Sequence, residues 1–283
     1  MDNTKKPVFI YSQALEKYSY PPDSMFDTRR AAKTRELLIS LGLLEGKCGR
    51  ESAPVPATKS ELKNFHTAKY LEALQQAAIG KITPEARSMG LGTMVISLHE
   101  SGKTLWPGTG FENETGDGPG KGFTVNVPLP IGICDAAYIE VFTEIVIPLI
   151  KAYDPDIFVL QTGMDALAAD PLAHLELTNN AHAEIIDRLL RFNKPLLATG
   201  GGGYHFDNTV RGWALAWKIM CGVGDESDIA FGMGGVMLQS TEWSGGLRDR
   251  VLPMDEQHCE AVETAIRATI RSLTRNVFKY HGI

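Results

Sequence analysis

The chain has 283 residues, 43% apolar and 22% charged, with 28 Lys and Arg against 34 Asp and Glu for a net charge of -6. That balance excludes disorder and fibre and offers no global attraction for a nucleic-acid backbone or an anionic membrane. The apolar run VFIYS is too short for a signal core, no stretch approaches a membrane span, and Cys48, Cys134, Cys221 and Cys259 lack metal or redox spacing. The expectation is a cytoplasmic protein with four buried thiols, no nucleic-acid partner and no membrane partner.

In chain order, β-rich apolar runs fall at 8–12 (VFIYS), 94–99 (MVISLH), 123–129 (FTVNVPL), 156–163 (DIFVLQTG) and 195–200 (PLLATG). Their two-sided apolar character predicts parallel strands covered on both faces. Between them, TRRAAKTRELLISLGLL, SELKNFHTAKYLEALQQAAIG, AAYIEVFTEIVIPLIKAY and NNAHAEIIDRLLRF carry helical spacing, and a last helix spans about Asp255 to Phe278. The alternation predicts an α/β fold, with Ser60 and Asp135 as helix caps and Gly80 as a helix stop. The last helix, after the loop-like stretch TEWSGGLRDRVLPM, is expected to dock on the body of the fold. Nine of the 28 glycines lie between Gly90 and Gly122, and Gly200 to Gly203 are consecutive, marking turns after strands where α/β proteins place ligands.

SLHESGKT (97–104) misses the phosphate-loop pattern by one residue, and the following LWPGTG, with Pro107, blocks the helix such a loop must open. No dinucleotide fingerprint and no serine elbow is present. GMDALAAD sets Asp165 just past a strand, with Asp170 five residues on. The bland alternative for each is a cap or a solvated carboxylate. PLLATGGGGYHF presents Tyr204 above a second strand end, where a phenol can donate to a developing oxyanion. The seven histidines form no ligand cluster; each reads as a surface or satisfied core residue, with His99 and His205 the nearest to exceptions. Trp106 either lines an entrance or packs under a loop.

In this order, SLHESGKTLWPGTG, GKGFTVNVPLP, PDIFVLQTGMDALAADPLAHLELT and KPLLATGGGGYHFDNTVRGWALAW resemble the histone deacetylase superfamily, in particular its bacterial acetoin-utilisation branch. VFIYS, YSYPPDSMF, FHTAKYLEAL and the closing VFKYHGI extend the likeness over nearly the whole chain. The resemblance implies an arginase-like α/β fold, a parallel sheet with helices on both faces, in one domain spanning 1–283. It implies zinc-dependent hydrolysis of acetyl-lysine, in an acetylated protein or a small N-acetyl amide, to amine and acetate. By resemblance Asp165 is a metal ligand, Tyr204 polarises the acetyl carbonyl, Trp106 and Leu172 line the substrate tunnel, and Gly202 lends it backbone. A monovalent cation would sit on backbone oxygens near Ser97 and Leu98.

The chain departs from that pattern at about Thr93 and Met94, where SMGLGT runs directly into MVISLHE. The family has a long segment there, carrying a histidine pair for general acid and base, an Asp-x-His pair of metal ligands and an acidic tunnel rim. The expectation is therefore an internal deletion joining 1–93 to 94–283, with central strands missing. Zinc binding and deacetylase activity should be impaired, since a catalytic zinc takes three protein ligands. Two alternatives stand beside it: a non-catalytic binding or scaffold protein, and an enzyme recruiting His99 or His205 as substitute ligands.

Overall fold

The computed structural model describes residues 6–17, 25–44, 48–65, 68, 71–72, 94–223, 246–250, 252 and 255–283. His66, Gly80, Thr93, the end of the helix expected over 60–80 (from 73 on), and parts of the YSYPPDSMF block and of the loop before the last helix lie outside them.

The fold is α/β, with β1 (Val8–Ile10), α1 (Arg29–Ser40), β2 (Arg50–Ser52), α2 (Lys59–Phe65), β3 (Val95–Glu100) and β4 (Thr124–Leu129) first. Then come α3 (Asp135–Val141), a π-helical turn (Phe142–Val146), α4 (Ile147–Tyr153), β5 (Phe158–Gln161), α5 (Asn179–Leu190), β6 (Leu196–Thr199), α6 (Phe206–Met220) and α7 (Glu256–Asn276). The π turn precedes Pro148, which lacks an N–H for the regular ladder and crowds the preceding turn, so the helix widens there. Two predicted caps move. Thr58, not Ser60, caps α2 through a reciprocal box, its hydroxyl accepting from Glu61 N at 3.2 Å while Glu61 Oε2 accepts from Thr58 N at 2.7 Å. Asp135 is already helical, and its carboxylate instead accepts from Thr178 N at 2.8 Å, tying α3 to the start of α5. Asp255, where the last helix is expected to begin, caps α7, accepting from His258 N at 3.2 Å.

The described strands hydrogen-bond as three parallel pairs, β1 with β2, β3 with β4 and β5 with β6. In the middle pair Ser97 faces Asn126 and Leu98 faces Val127. The inner residues of β4, Val125, Val127 and Leu129, pack in one buried cluster with Val141, Ile145 and Leu149 and with Ile266, Ile270 and Leu273 of α7, which docks as expected. A second cluster joins α1 (Leu37, Leu38) to α6 (Val210, Ala214, Trp217), and a third packs Phe142, Ile185 and Leu189 against Phe158 and Leu160.

The other row of the β5–β6 pair faces water, with Val159 68% and Leu197 46% exposed. Apolar strand residues normally lie under a second layer, so among the described residues this row lacks the cover expected on both faces. The cysteines also differ from expectation: all four are free and half-buried rather than buried.

Candidate functional site

Two strand ends meet at the site. β5 runs into Thr162, Gly163, Met164 and Asp165, and β6 into Gly200 to Tyr204, in register from Phe158 opposite Leu196 to Gln161 opposite Thr199. Met164 N donates to Gly202 O at 3.0 Å, so the two loops remain bonded beyond the strands. The glycine run follows from what lies against it: a Cβ on Gly202 would stand 2.1 Å from Asp165 Oδ2, and one on Gly201 would stand 2.9 Å from the Gly163 backbone. Gly202 and Asp165 are thus neighbours.

Asp165 sits in a largely dry place. Burial pushes its carboxyl above the usual range; its own backbone amide opposes this, the Asp170 charge adds to it, and the Arg30 guanidinium opposes it again. Burial, with the Asp165 and Asp170 charges, likewise raises the Tyr204 phenol against a smaller opposing pull from Arg30. Tyr204 therefore stays protonated at neutral pH, and a protonated phenol is a hydrogen-bond donor. Its ring meets Phe26 edge-on at 5.2 Å between centroids. Arg30, buried on α1, donates to Gly203 O and lies over the Phe26 and Trp213 rings at 5.3 and 5.1 Å. Trp213 of α6 donates to Thr162 O at 2.8 Å, completing a floor of α1 and α6 side chains beneath both strand ends.

The other tunnel residues are placed differently. Trp106 is 88% exposed and packs under no loop, and Leu172 is 39% exposed on the turn after Asp170. The near-phosphate loop at 101–110 forms turns and no helix, as Pro107 and its glycines predict.

Every described histidine has a structural partner. His99 Nδ1 bonds Ser97 Oγ and its Nε2 bonds Gly110 O, both at 2.9 Å, while His205 Nδ1 accepts from Asn208 N as the cap of α6. His182 bonds Gly163 O at 3.0 Å, His258 bonds Gly132 O at 3.1 Å, and His281 bonds Gly122 O at 2.8 Å. Glycine is required in two of these contacts, since a Cβ would stand 2.3 Å from His99 Nε2 at Gly110 and 2.2 Å from His258 Nε2 at Gly132. No spacing in the sequence reveals such long-range pins. Both nitrogens of His99 are thus engaged, while His205 keeps Nε2 uncommitted among the described residues.

A zinc ion would find one carboxylate here. Among the described residues no three His, Cys, Asp or Glu side chains converge as a metal site, and Asp170, the acidic neighbour of Asp165, is engaged with backbone amides. A buried carboxylate raised by desolvation is a group that a cation would relieve, yet one carboxylate falls short of the three protein ligands of a catalytic zinc. The described residues do not fit that ion.

The fold defines the class: an α/β protein of the arginase and deacetylase type. It aligns with the crystal structure of an HDAC homolog complexed with SAHA at a TM-score of 0.70 and 19% identity, over 95% of this chain and 100% of that one. With an HDAC homolog from Aquifex aeolicus the TM-score is 0.68 at 20% identity, with the same coverage. By sequence, residues 85–220 match the histone deacetylase domain. Similar proteins include Histone deacetylase 9 of Arabidopsis thaliana, 40% identical over 127 residues, which are 45% of this chain and 30% of that protein. Histone deacetylase B of Dictyostelium discoideum is 38% identical over 159 residues, 56% of this chain and 37% of that protein. The chain spans about a third of the length of the curated relatives it matches. No helix among the described residues is long and apolar enough to cross a membrane.

Proposed function

We propose that the chain is a histone deacetylase-family protein of the bacterial acetoin-utilisation branch, in one domain over 1–283 that lacks a central segment at about Thr93 and Met94. It keeps the part of the site that meets an N-acetyl amide and has lost most of its hydrolytic power. The observation that carries this reading is the pairing of Asp165 and Tyr204 at neighbouring strand ends, with Gly202 against the carboxylate and no further metal-ligating side chains converging among the described residues. The separation of the strands into three parallel pairs and the water-facing row at Val159 and Leu197 support the missing segment.

In this reading the Tyr204 hydroxyl donates to the carbonyl oxygen of acetyl-lysine or a related amide, and Arg30 braces the tyrosine loop from below. Leu172 and Trp106 flank the apolar stem from exposed positions. Among the described residues no histidine pair stands beside Tyr204 to take a proton from water and return one to the leaving amine, a role commonly contributing about a hundred to ten thousandfold. Acetate release from an acetyl-lysine peptide, measured with one equivalent of zinc, is expected to stay at the no-enzyme background and to be unchanged in Tyr204→Phe. Turnover that is zinc-dependent and abolished in Tyr204→Phe would overturn the reading.

A further inference from the structure

We propose that Asp170 is a positioning residue: its one carboxylate clamps the turn carrying Leu172 to the loop carrying Tyr204 and so sets the spacing of the two sides of the amide-binding cleft. The proposal rests on the reading of that cleft given above. Asp170 Oδ1 accepts from Leu172 N at 2.9 Å and Ala173 N at 3.3 Å, while Oδ2 accepts from Tyr204 N at 2.8 Å and His205 N at 3.4 Å. Two amides of one loop and two of another, 34 residues apart at the Tyr204 bond, thus share one anion. Charge-assisted bonds of this kind are about twice as strong as neutral ones.

The surroundings aim the carboxylate. Ala169 is held at φ 66°, a left-handed conformation costly for a residue with a Cβ, and this turns the chain so that Asp170 looks back at the tyrosine loop. Asp170 N donates to Leu167 O at 3.2 Å, and Ala168 N to Leu177 O at 2.9 Å, fixing the turn from within. A second carboxylate holds its far end: Glu100, whose side chain is 1% exposed at the end of β3, accepts from His174 N at 2.7 Å and bonds His174 Nδ1 at 3.0 Å. With residues 170 to 174 anchored at both ends, Leu172 cannot move without Tyr204.

Uniformly 13C,15N-labelled protein tests this directly through scalar couplings across hydrogen bonds. Couplings from the Tyr204 and Leu172 amide nitrogens to the Asp170 side-chain carboxyl carbon are expected in the wild type, and the lack of either overturns the clamp. In Asp170→Asn, whose amide keeps one acceptor oxygen and can hold only one of the two loops, amide exchange at Tyr204 or at Leu172 is expected to quicken, roughly tenfold to a hundredfold, while Leu160 and Leu215 keep their wild-type rates. Unchanged exchange at both positions, or equal acceleration everywhere, would contradict the proposal. Titration with N-acetyl-lysine methylamide separates the two readings: if the wild type ignores the amide, the cleft reading fails while the couplings still decide the clamp. If the amide binds wild type and Asp170→Asn equally well, the positioning role fails and the cleft reading stands.

Discussion

Asp249→Ala is expected to destabilise the protein by about 3 to 5 kcal/mol, the usual result of leaving a buried charge without its partner. Arg211 is fully buried on α6, donating through Nη2 to Asp249 Oδ1 and, at 3.1 Å, to Asn208 Oδ1, while its Nε and Nη1 have no hydrogen-bond partner among the described residues. The same carboxylate accepts from Asn179 N at 2.8 Å, and Asp249 N donates to Asn179 Oδ1 at 2.9 Å, so the pair also fastens residues 246–250 to the start of α5. For a chain of this size the loss corresponds to roughly 10 °C in thermal midpoint. Calorimetry of Asp249→Ala, Arg211→Met and the double variant checks the cause: the double variant should recover much of the loss, because the stranded charge is gone. Strictly additive losses would mean that the two side chains act independently.

Gly202→Ala is the second large effect. The added methyl would lie 2.1 Å from Asp165 Oδ2 and 2.4 Å from its Cγ, so one of two bonded loops must shift. Overpacking of this kind costs typically about 1 to 3 kcal/mol. Adding Asp165→Ala should relieve the crowding, making the double variant more stable than the sum of the single losses predicts. Equal stability of Gly202→Ala and wild type in denaturant unfolding would show that the strand ends are looser than described.

Much of this arrangement was legible in the sequence, and the failures have physical causes. β3 to β6 and the helices over 136–153, 179–192 and 255–278 follow from apolar periodicity, because that pattern is set by the core each element faces. β2, at Arg50–Ser52, carries no apolar signal; pairing with β1 makes it a strand. In the sequence the glycine run masks the start of α6, although Val210, Ala214 and Trp217 are spaced for one buried face. Motif order marks Asp165, Gly202 and Tyr204 in the sequence, and the structure sets them at the two neighbouring strand ends. Trp106 and Leu172 were also marked, but their exposure depends on what covers the cleft, which local sequence does not encode. Asp170 read equally well as a cap or a solvated carboxylate, since its partners at Tyr204 and His205 are distant in the chain. The histidine pins on Gly110, Gly122, Gly132 and Gly163 were invisible for the same reason.

In the proposed reading Asp165 lacks, among the described residues, the further ligands that a zinc site needs. Burial raises its folded pKa above the unfolded value of about 3.9. Its contribution to stability is therefore fully present below that value and lost as pH rises through the folded pKa. The most direct measurement is the thermal midpoint of wild type and Asp165→Asn between pH 4 and pH 7, with and without one equivalent of zinc. The expected result is a variant more stable than wild type at pH 7, a difference that closes toward pH 4, and no zinc-dependent shift in either protein. A wild type stabilised by stoichiometric zinc at pH 7, with that gain abolished in Asp165→Asn, would contradict it.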